Sequence, residues 1–406
     1  MKKFLRSCAA LALVGALLFG GMAAGLFDAA AAGKPNLKKL EKDLLSVMEE
    51  HDVTAMNIAV VKGDQVIYSN ALGLKDRATE EPADIANIFR IASISKSFSG
   101  VSIMQLVEAG KLSLEDDVND LLGWSVRNPR FPDDPITVRM LLSHTSSVID
   151  SPAVNYKRSF EGSLIPGTAD TDTILACYSK FRPGKHYQYS NRGINLVGAI
   201  IEKVSGERFD VYVRNHILRP LGLMDAGFNV DSLDRNRFNT LYNVRDGKFI
   251  AQPMAYKHLP AYDNYRIGID TPAYSPAGGM KITVLGLAEW MMTLKRGGVG
   301  SNGVRILSTE SVERMFKRES PGAKDDFGNG YGLTLTTSKT LLGFPMRGHG
   351  GSAYGLKSCM YFSVDQDFGI VIFCSSTDGK KCESGRGTGP AAYCEAAELL
   401  YDTLIK

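Results

Sequence analysis

The sequence lacks a dominant charge. Its 406 residues carry 47 Lys and Arg against 44 Asp and Glu, a formal net charge of +3, and no dense basic block. Without such a cluster a nucleic-acid partner is not expected. Cysteine is scarce: Cys8, Cys177, Cys359, Cys374, Cys382 and Cys394 are all there are, and no Cys/His spacing matches a zinc site. Neither a metal nor a cofactor is therefore expected. Beyond residue 33 there is no apolar run long enough to cross a bilayer, no internal repeat, no low-complexity tract and no clear linker. With 44% hydrophobic and 22% charged residues, the chain can bury the core of an ordinary globular unit.

One long apolar stretch remains, at the start. Lys2, Lys3 and Arg6 precede an uncharged run over residues 9–27, and alanine fills 29–32. This is the layout of a secretory signal peptide over 1–32, followed by one catalytic unit over 33–406; an uncleaved membrane anchor is the alternative. Cys8 precedes the apolar run and is badly placed for a lipoprotein cysteine. The expected location is periplasmic or secreted, with membrane contact only if the leader is retained. In such an oxidising compartment a disulfide is plausible. Cys382 and Cys394, which flank a Gly-rich loop, are the favoured pair, and the odd count of five leaves at least one thiol over.

Periodicity predicts a helix over 37–51, with Leu37, Leu40, Leu44, Leu45 and Met48 at helical spacing. Two strands over 57–61 and 66–68 read as a hairpin through Gly63-Asp64. A long helix begins near Ser93 and stops at Gly110. Further helices are predicted over 137–144, 191–204 and 283–294. Strands follow over 331–337, 356–364 and 369–374, and a last helix over 391–404. The order implies an α+β fold: an antiparallel sheet drawn from both chain ends and flanked by helices, with a mainly helical lobe inserted.

Three short patterns carry possible chemistry. Ser93-Ile94-Ser95-Lys96 is the one S-x-x-K tetrapeptide in the chain, and it opens a helix pattern. Residues three apart share a helix face, which sets the lysine amine beside the serine hydroxyl. The helix N-terminus favours a developing alkoxide, and a desolvated lysine can act as a base. A capping serine with a solvated lysine is the plainer alternative. Tyr189-Ser190-Asn191 precedes another helix pattern. Here Tyr189 is a candidate proton carrier, and Asn191 either holds Lys96 or substrate, or simply caps the helix. A competing Tyr262-Asp263-Asn264 has no helix pattern behind it. Gly348-His349-Gly350-Gly351 permits close backbone approach, with a His either cationic or donating to a substrate carbonyl or carboxylate; a glycine turn with an incidental His is the alternative.

Taken together, these three elements resemble the serine β-lactamase-like superfamily: class C β-lactamases, D-alanyl-D-alanine carboxypeptidases, D-aminopeptidases and related esterases. Phe89-Arg90-Ile91-Ala92-Ser93, Leu141-Leu142-Ser143-His144-Thr145-Ser146, Leu221-Gly222-Leu223 and Pro276-Ala277-Gly278-Gly279 look like phrases of the same family, from about residue 37 to the C-terminus. The resemblance implies a β-lactamase/transpeptidase-like fold and a Ser93 acyl-enzyme, with proton handling shared by Lys96 and Tyr189. It also implies an oxyanion hole from the main-chain N–H groups of Ser93 and Ser352, with Asn191, His349, Gly350 and Gly351 facing the substrate. A D-amino-acid peptide such as a peptidoglycan stem, or a small ester, is the substrate it suggests. A β-lactamase, or a non-catalytic binding or sensing protein, is the alternative. Two departures stand out. His349-Gly350-Gly351 replaces the Lys-Thr-Gly usual in class C enzymes, and Ser147 stands where a Gly usually follows His-Thr-Ser. His144 reads as structural.

Overall fold

The computed structural model describes residues 35–155, 158–258, 264–319, 330–383 and 385–406. The predicted leader, together with Tyr262 and Asp263 of the competing motif, lies outside them. Residues 36–406 form one compact unit. No helix among the described residues is long and apolar enough to cross a membrane.

The helices in chain order are α1 (Leu37–Glu50), α2 (Lys96–Glu108), α3 (Val118–Leu122), α4 (Val138–Leu142), α5 (Thr171–Ala176), α6 (Asn191–Ser205), α7 (Phe209–Val213), α8 (Val284–Lys295), α9 (Thr309–Phe316) and α10 (Ala391–Leu404). The strands are β1 (Ala55–Lys62), β2 (Gln65–Asp76), β3 (Glu81–Pro82), β4 (Phe89–Arg90), β5 (Tyr242–Arg245), β6 (Lys248–Ala251), β7 (Lys281–Ile282), β8 (Gly330–Tyr331), β9 (Thr336–Ser338), β10 (Met346–Ala353), β11 (Leu356–Ser363) and β12 (Phe368–Cys374).

Eight strands make one antiparallel sheet in the order β3-β2-β1-β12-β11-β10-β9-β8. The first long strand thus lies beside the last, at the centre, as the element order predicted. β12 and β1, up to its exposed Lys62, are buried on both faces, which explains why their runs are apolar but for Asn57. One face packs on α1 and α10 through Leu40, Leu44, Ile58, Ile372 and Leu400. The other packs on α8 and on the helical region between β4 and β7, through Phe89, Phe98, Trp290 and Phe373. Asn36 caps α1, its side chain accepting from Lys39 N–H. Only part of the predicted α1 stripe is buried: Leu37 and Leu45 stay exposed.

Two expectations change. The strand over 331–337 is in fact a hairpin: Thr334 adopts a φ of +64°, and β8 and β9 pair on either side of it. The Cys382–Cys394 pair does not form; none of the five described cysteines is in a disulfide. Cys394 is buried on α10 with its Sγ on the Thr340 carbonyl at 3.4 Å, whereas Cys382 lies partly exposed in the segment bridged to Pro390. Ser147, too, has a physical reading. Its φ of +64° is a conformation that glycine adopts freely and serine does not, so the turn keeps its shape at a cost of about 1 kcal/mol.

Candidate active site

A strained corner presents Ser93. β4 pairs with β7, and Ile91 N–H donates to Met280 O at 3.0 Å. The chain then turns at Ala92, whose φ of +51° is unfavourable for a residue with a Cβ. A 3-10 turn over Ala92–Ser95 follows and runs directly into α2. The loop over 275–280 fastens this corner: Ser99 Oγ donates to Pro276 O at 3.0 Å, and Met280 N–H to Ser95 Oγ at 3.0 Å. Family phrases far apart in sequence therefore meet around one serine.

Lys96 is fully buried, and its Nζ has three close partners: Ser93 Oγ at 3.1 Å, Asn191 Oδ1 at 2.7 Å and Ala277 O at 2.7 Å. Burial lowers its pKa to about 7 against an opposing pull from the Asp150 carboxylate. The Tyr189 ring lies 4.8 Å from Nζ, a cation–π distance.

The cap of α6 is Ser190, whose Oγ accepts from Gly193 N–H at 3.0 Å. This leaves the Asn191 side chain for Lys96. Asp150 completes the helix start, accepting from Asn191 N–H at 2.9 Å, Asn191 Nδ2 at 2.8 Å and Arg192 N–H at 2.8 Å. With Nδ2 held by Asp150, the amide oxygen of Asn191 must face Lys96. Sequence reasoning missed Asp150, because a lone aspartate four residues beyond a loop phrase has no pattern to read.

A cleft of about 580 Å³ opens over this group, lined by Ser93, Asn191, Asn195, Ser352 and Tyr354 among others. Ser352 belongs to β10, whose outer edge is paired with β9 only from Met346 to Gly348. Beyond that point no strand among the described residues covers it. Gly351 explains the fit of β10 against the serine corner: a Cβ there would lie 2.4 Å from Ile91 O and 2.3 Å from Ser358 Oγ. A Cβ at Gly350 would meet nothing closer than 3.6 Å.

The structure thus brings together Ser93, Lys96, Tyr189 and Asn191, and sets Ser352 in the same cleft. His349 differs from the expectation of a cation or a substrate donor. It is buried, with Nε2 at 3.0 Å from Tyr331 Oη and Nδ1 at 2.5 Å from its neighbour Gly350 O. Four basic side chains are among the described lining residues of the cleft, Arg90, Arg158, Lys257 and Lys281, and no Asp or Glu is among them. Arg90 and Lys281 are committed to protein carbonyls, Arg90 to Gly278 O and Ala255 O and Lys281 to Phe228 O. Arg158 and Lys257 stand exposed at the rim.

A family model described as Beta-lactamase matches residues 38–390. A penicillin-binding protein of Bacillus subtilis is 25% identical over 224 residues, 53% of this chain and 48% of that protein, so the chain spans about half the length of this curated relative. The octameric penicillin-binding protein homologue from Pyrococcus abyssi superposes with a TM-score of 0.69 at 26% identity, covering 91% of this chain and 78% of that one. D-amino acid amidase from Ochrobactrum anthropi superposes with a TM-score of 0.65 at 20% identity, covering 91% and 98%, a likeness of fold.

Proposed function

The chain belongs to the beta-lactamase family, and from that premise we propose that it is a serine hydrolase cleaving amide or ester bonds through an acyl-enzyme on Ser93. One observation carries the reading: the three-way contact of the Lys96 amine. A neutral amine has two N–H donors and one lone pair. Asn191 Oδ1 and Ala277 O can only accept, so they take both hydrogens. The lone pair is left for the Ser93 hydroxyl proton, which makes Lys96 the base. With its pKa lowered to about 7, the amine is half neutral at pH 7. An ordinary lysine would be neutral in only about one molecule in three thousand.

In the proposed reaction Ser93 Oγ attacks the carbonyl carbon while its proton moves to Lys96 Nζ. The main-chain N–H groups of Ser93 and Ser352 receive the developing oxyanion, a contribution of about 10²–10³-fold per donor. The C–N or C–O bond then breaks as the leaving amine or alcohol takes a proton, by way of Tyr189. Water attacks the acyl ester, releases the acid and restores the serine.

The substrate we propose is a D-amino-acid peptide with a free carboxylate on the leaving side, such as a peptidoglycan stem. Arg158 and Lys257 at the rim, with no acid among the described lining residues, favour an anionic group over a substrate with a free amine. The open edge of β10 suits an extended peptide backbone. Export, suggested by the leader pattern at the N-terminus, would place the enzyme where such peptides occur. Intact-protein mass spectrometry with a fluorophosphonate and a labelled penicillin, on wild type and Ser93→Ala, tests the chemistry. A fluorophosphonate adduct absent from the variant is expected. A lasting penicillin adduct supports the peptide substrate; consumed penicillin points to a β-lactamase, and an adduct with the fluorophosphonate alone to an esterase. No adduct with either reagent leaves a binding protein.

A further inference from the structure

Behind the cleft, one hydrogen-bonded chain joins segments that sequence reading kept apart. It starts at Ser190 N–H, 3.2 Å from His144 Nδ1. His144 Nε2 lies 3.2 Å from Tyr331 Oη. The same Oη lies 3.0 Å from His349 Nε2, and His349 Nδ1 lies 2.5 Å from Gly350 O.

The two ends are main-chain groups with one role each, and they fix every proton between them. Ser190 N–H can only donate, so His144 Nδ1 carries no hydrogen. Neutral His144 therefore holds its proton on Nε2 and donates it to Tyr331 Oη. At the other end Gly350 O can only accept, so His349 carries its proton on Nδ1. Its bare Nε2 must then accept, and Tyr331 supplies the O–H. The assignments made from opposite ends agree at Tyr331. An imidazolium at His144 would set N–H against the Ser190 N–H. Burial of both rings, with the Lys96 charge nearby, acts in the same direction: it holds His144 well below the usual histidine range and His349 at about 4.

We propose that Tyr331 and His144 are positioning residues that lock His349 as a neutral strut, holding the strand of Ser352 against the loop of Tyr189 and Asn191. The elements joined are the end of β8, the turn after α4, the start of α6 and β10. The Tyr189 ring rests on His144 with centroids 4.3 Å apart, so the strut also sets the proton carrier. Both ring nitrogens of His349 are spent inside the protein. It therefore gives the substrate neither charge nor N–H, and carboxylate recognition falls to other groups in the cleft. The catalytic consequence rests on the hydrolase reading; the tautomers do not.

Nitrogen-15 NMR of the full chain with labelled histidine tests this directly. There are six histidines, assigned by single His→Gln replacement. We expect His144 as the Nε2–H tautomer and His349 as the Nδ1–H tautomer, both unchanged from about pH 5.5 to about pH 8. The same tautomer in both rings, or titration of either within that range, overturns the proposal whatever the enzyme's activity. In steady-state kinetics Tyr331→Phe should lower kcat about tenfold with KM within about twofold, the mark of lost positioning. A raised KM at unchanged kcat would instead place Tyr331 or His349 in substrate binding and overturn the strut.

Discussion

Lys96 acts through its neighbours, and each of them makes a distinct prediction. In the proposed role of base, Lys96, with a pKa of about 7, must lose its proton before it can accept one from Ser93. Acylation, followed as kcat/KM for an uncharged ester, should therefore rise with pH through about 7 and level off above it. A profile flat from about pH 6 to about pH 8 would falsify the assignment of Lys96 as base. Asp150 pulls that pKa upward while fixing the Asn191 amide. Asp150→Asn should move the limb to lower pH and reduce kcat/KM about tenfold through the loosened amide. It also weakens the start of α6, at about 1 kcal/mol, readable as a lower urea midpoint. Neither group can be assigned its part without the other: charge sets the base, and the hydrogen bond sets its partner.

At the scale of elements, the site depends on how closely β10 approaches the serine corner. Gly351 lets the strand lie against Ile91 O, and that carbonyl belongs to backbone held by β4 and β7. Gly351→Ala should cost about 1–3 kcal/mol and reduce kcat as Ser352 shifts away from Ser93. Thermal melts and initial rates on the same preparations check both. Gly350→Ala is the control for packing, since a Cβ there makes only ordinary contacts at 3.6 Å or more, and it should leave the melting temperature unchanged. The corner itself is strained at Ala92, as is the turn at Ser147. Periodicity is blind to such positions, because a single positive φ leaves the apolar pattern on either side intact. Thr334 shows the consequence: one left-handed residue converts an apparent strand into the β8–β9 hairpin and delivers Tyr331 to the histidines.

At the scale of the whole molecule, the two ends of the domain are tied by His51. Its ring lies 3.0 Å from Glu395 on α10 and 3.3 Å from Asp378 beyond β12. Burial alone would lower its pKa, but hydrogen bonds to Glu395 and Asp378 outweigh that and raise it. A histidine whose folded pKa exceeds its unfolded value of about 6.5 stabilises the fold fully below that pH and loses the contribution as pH rises through the folded pKa. The melting temperature should fall over that window, and His51→Gln should flatten the fall. An equally steep fall in the variant would assign it to other groups.

The same scales separate what the chain spells out from what its folding decides. α1, α2, α6, α8, α10, the β1–β2 hairpin and strands β11 and β12 were legible, because each buries a face or a whole strand and burial imposes a period on the sequence. Ser93 and Lys96 were legible because their relation is local, one helical turn, and so was the pairing of strands from the two chain ends. The role of Asn191 stayed open until Ser190 proved to be the cap. Asp150 left no mark, and nothing in the sequence signalled what Ala277, inside a family phrase, and Tyr331, at the start of a predicted strand, would contact. Each acts through a contact spanning between 18 and 187 residues of sequence, set by where loops come to rest. Sequence alone singled out Ser93 as the candidate nucleophile, Lys96 and Tyr189 as its candidate proton carriers, and the sheet that carries them. Tertiary structure decided the burial of the Lys96 amine, the orientation of its amide partner and the contacts from which the tautomers of the two histidines are inferred, because burial and hydrogen-bond direction exist only once distant segments have met.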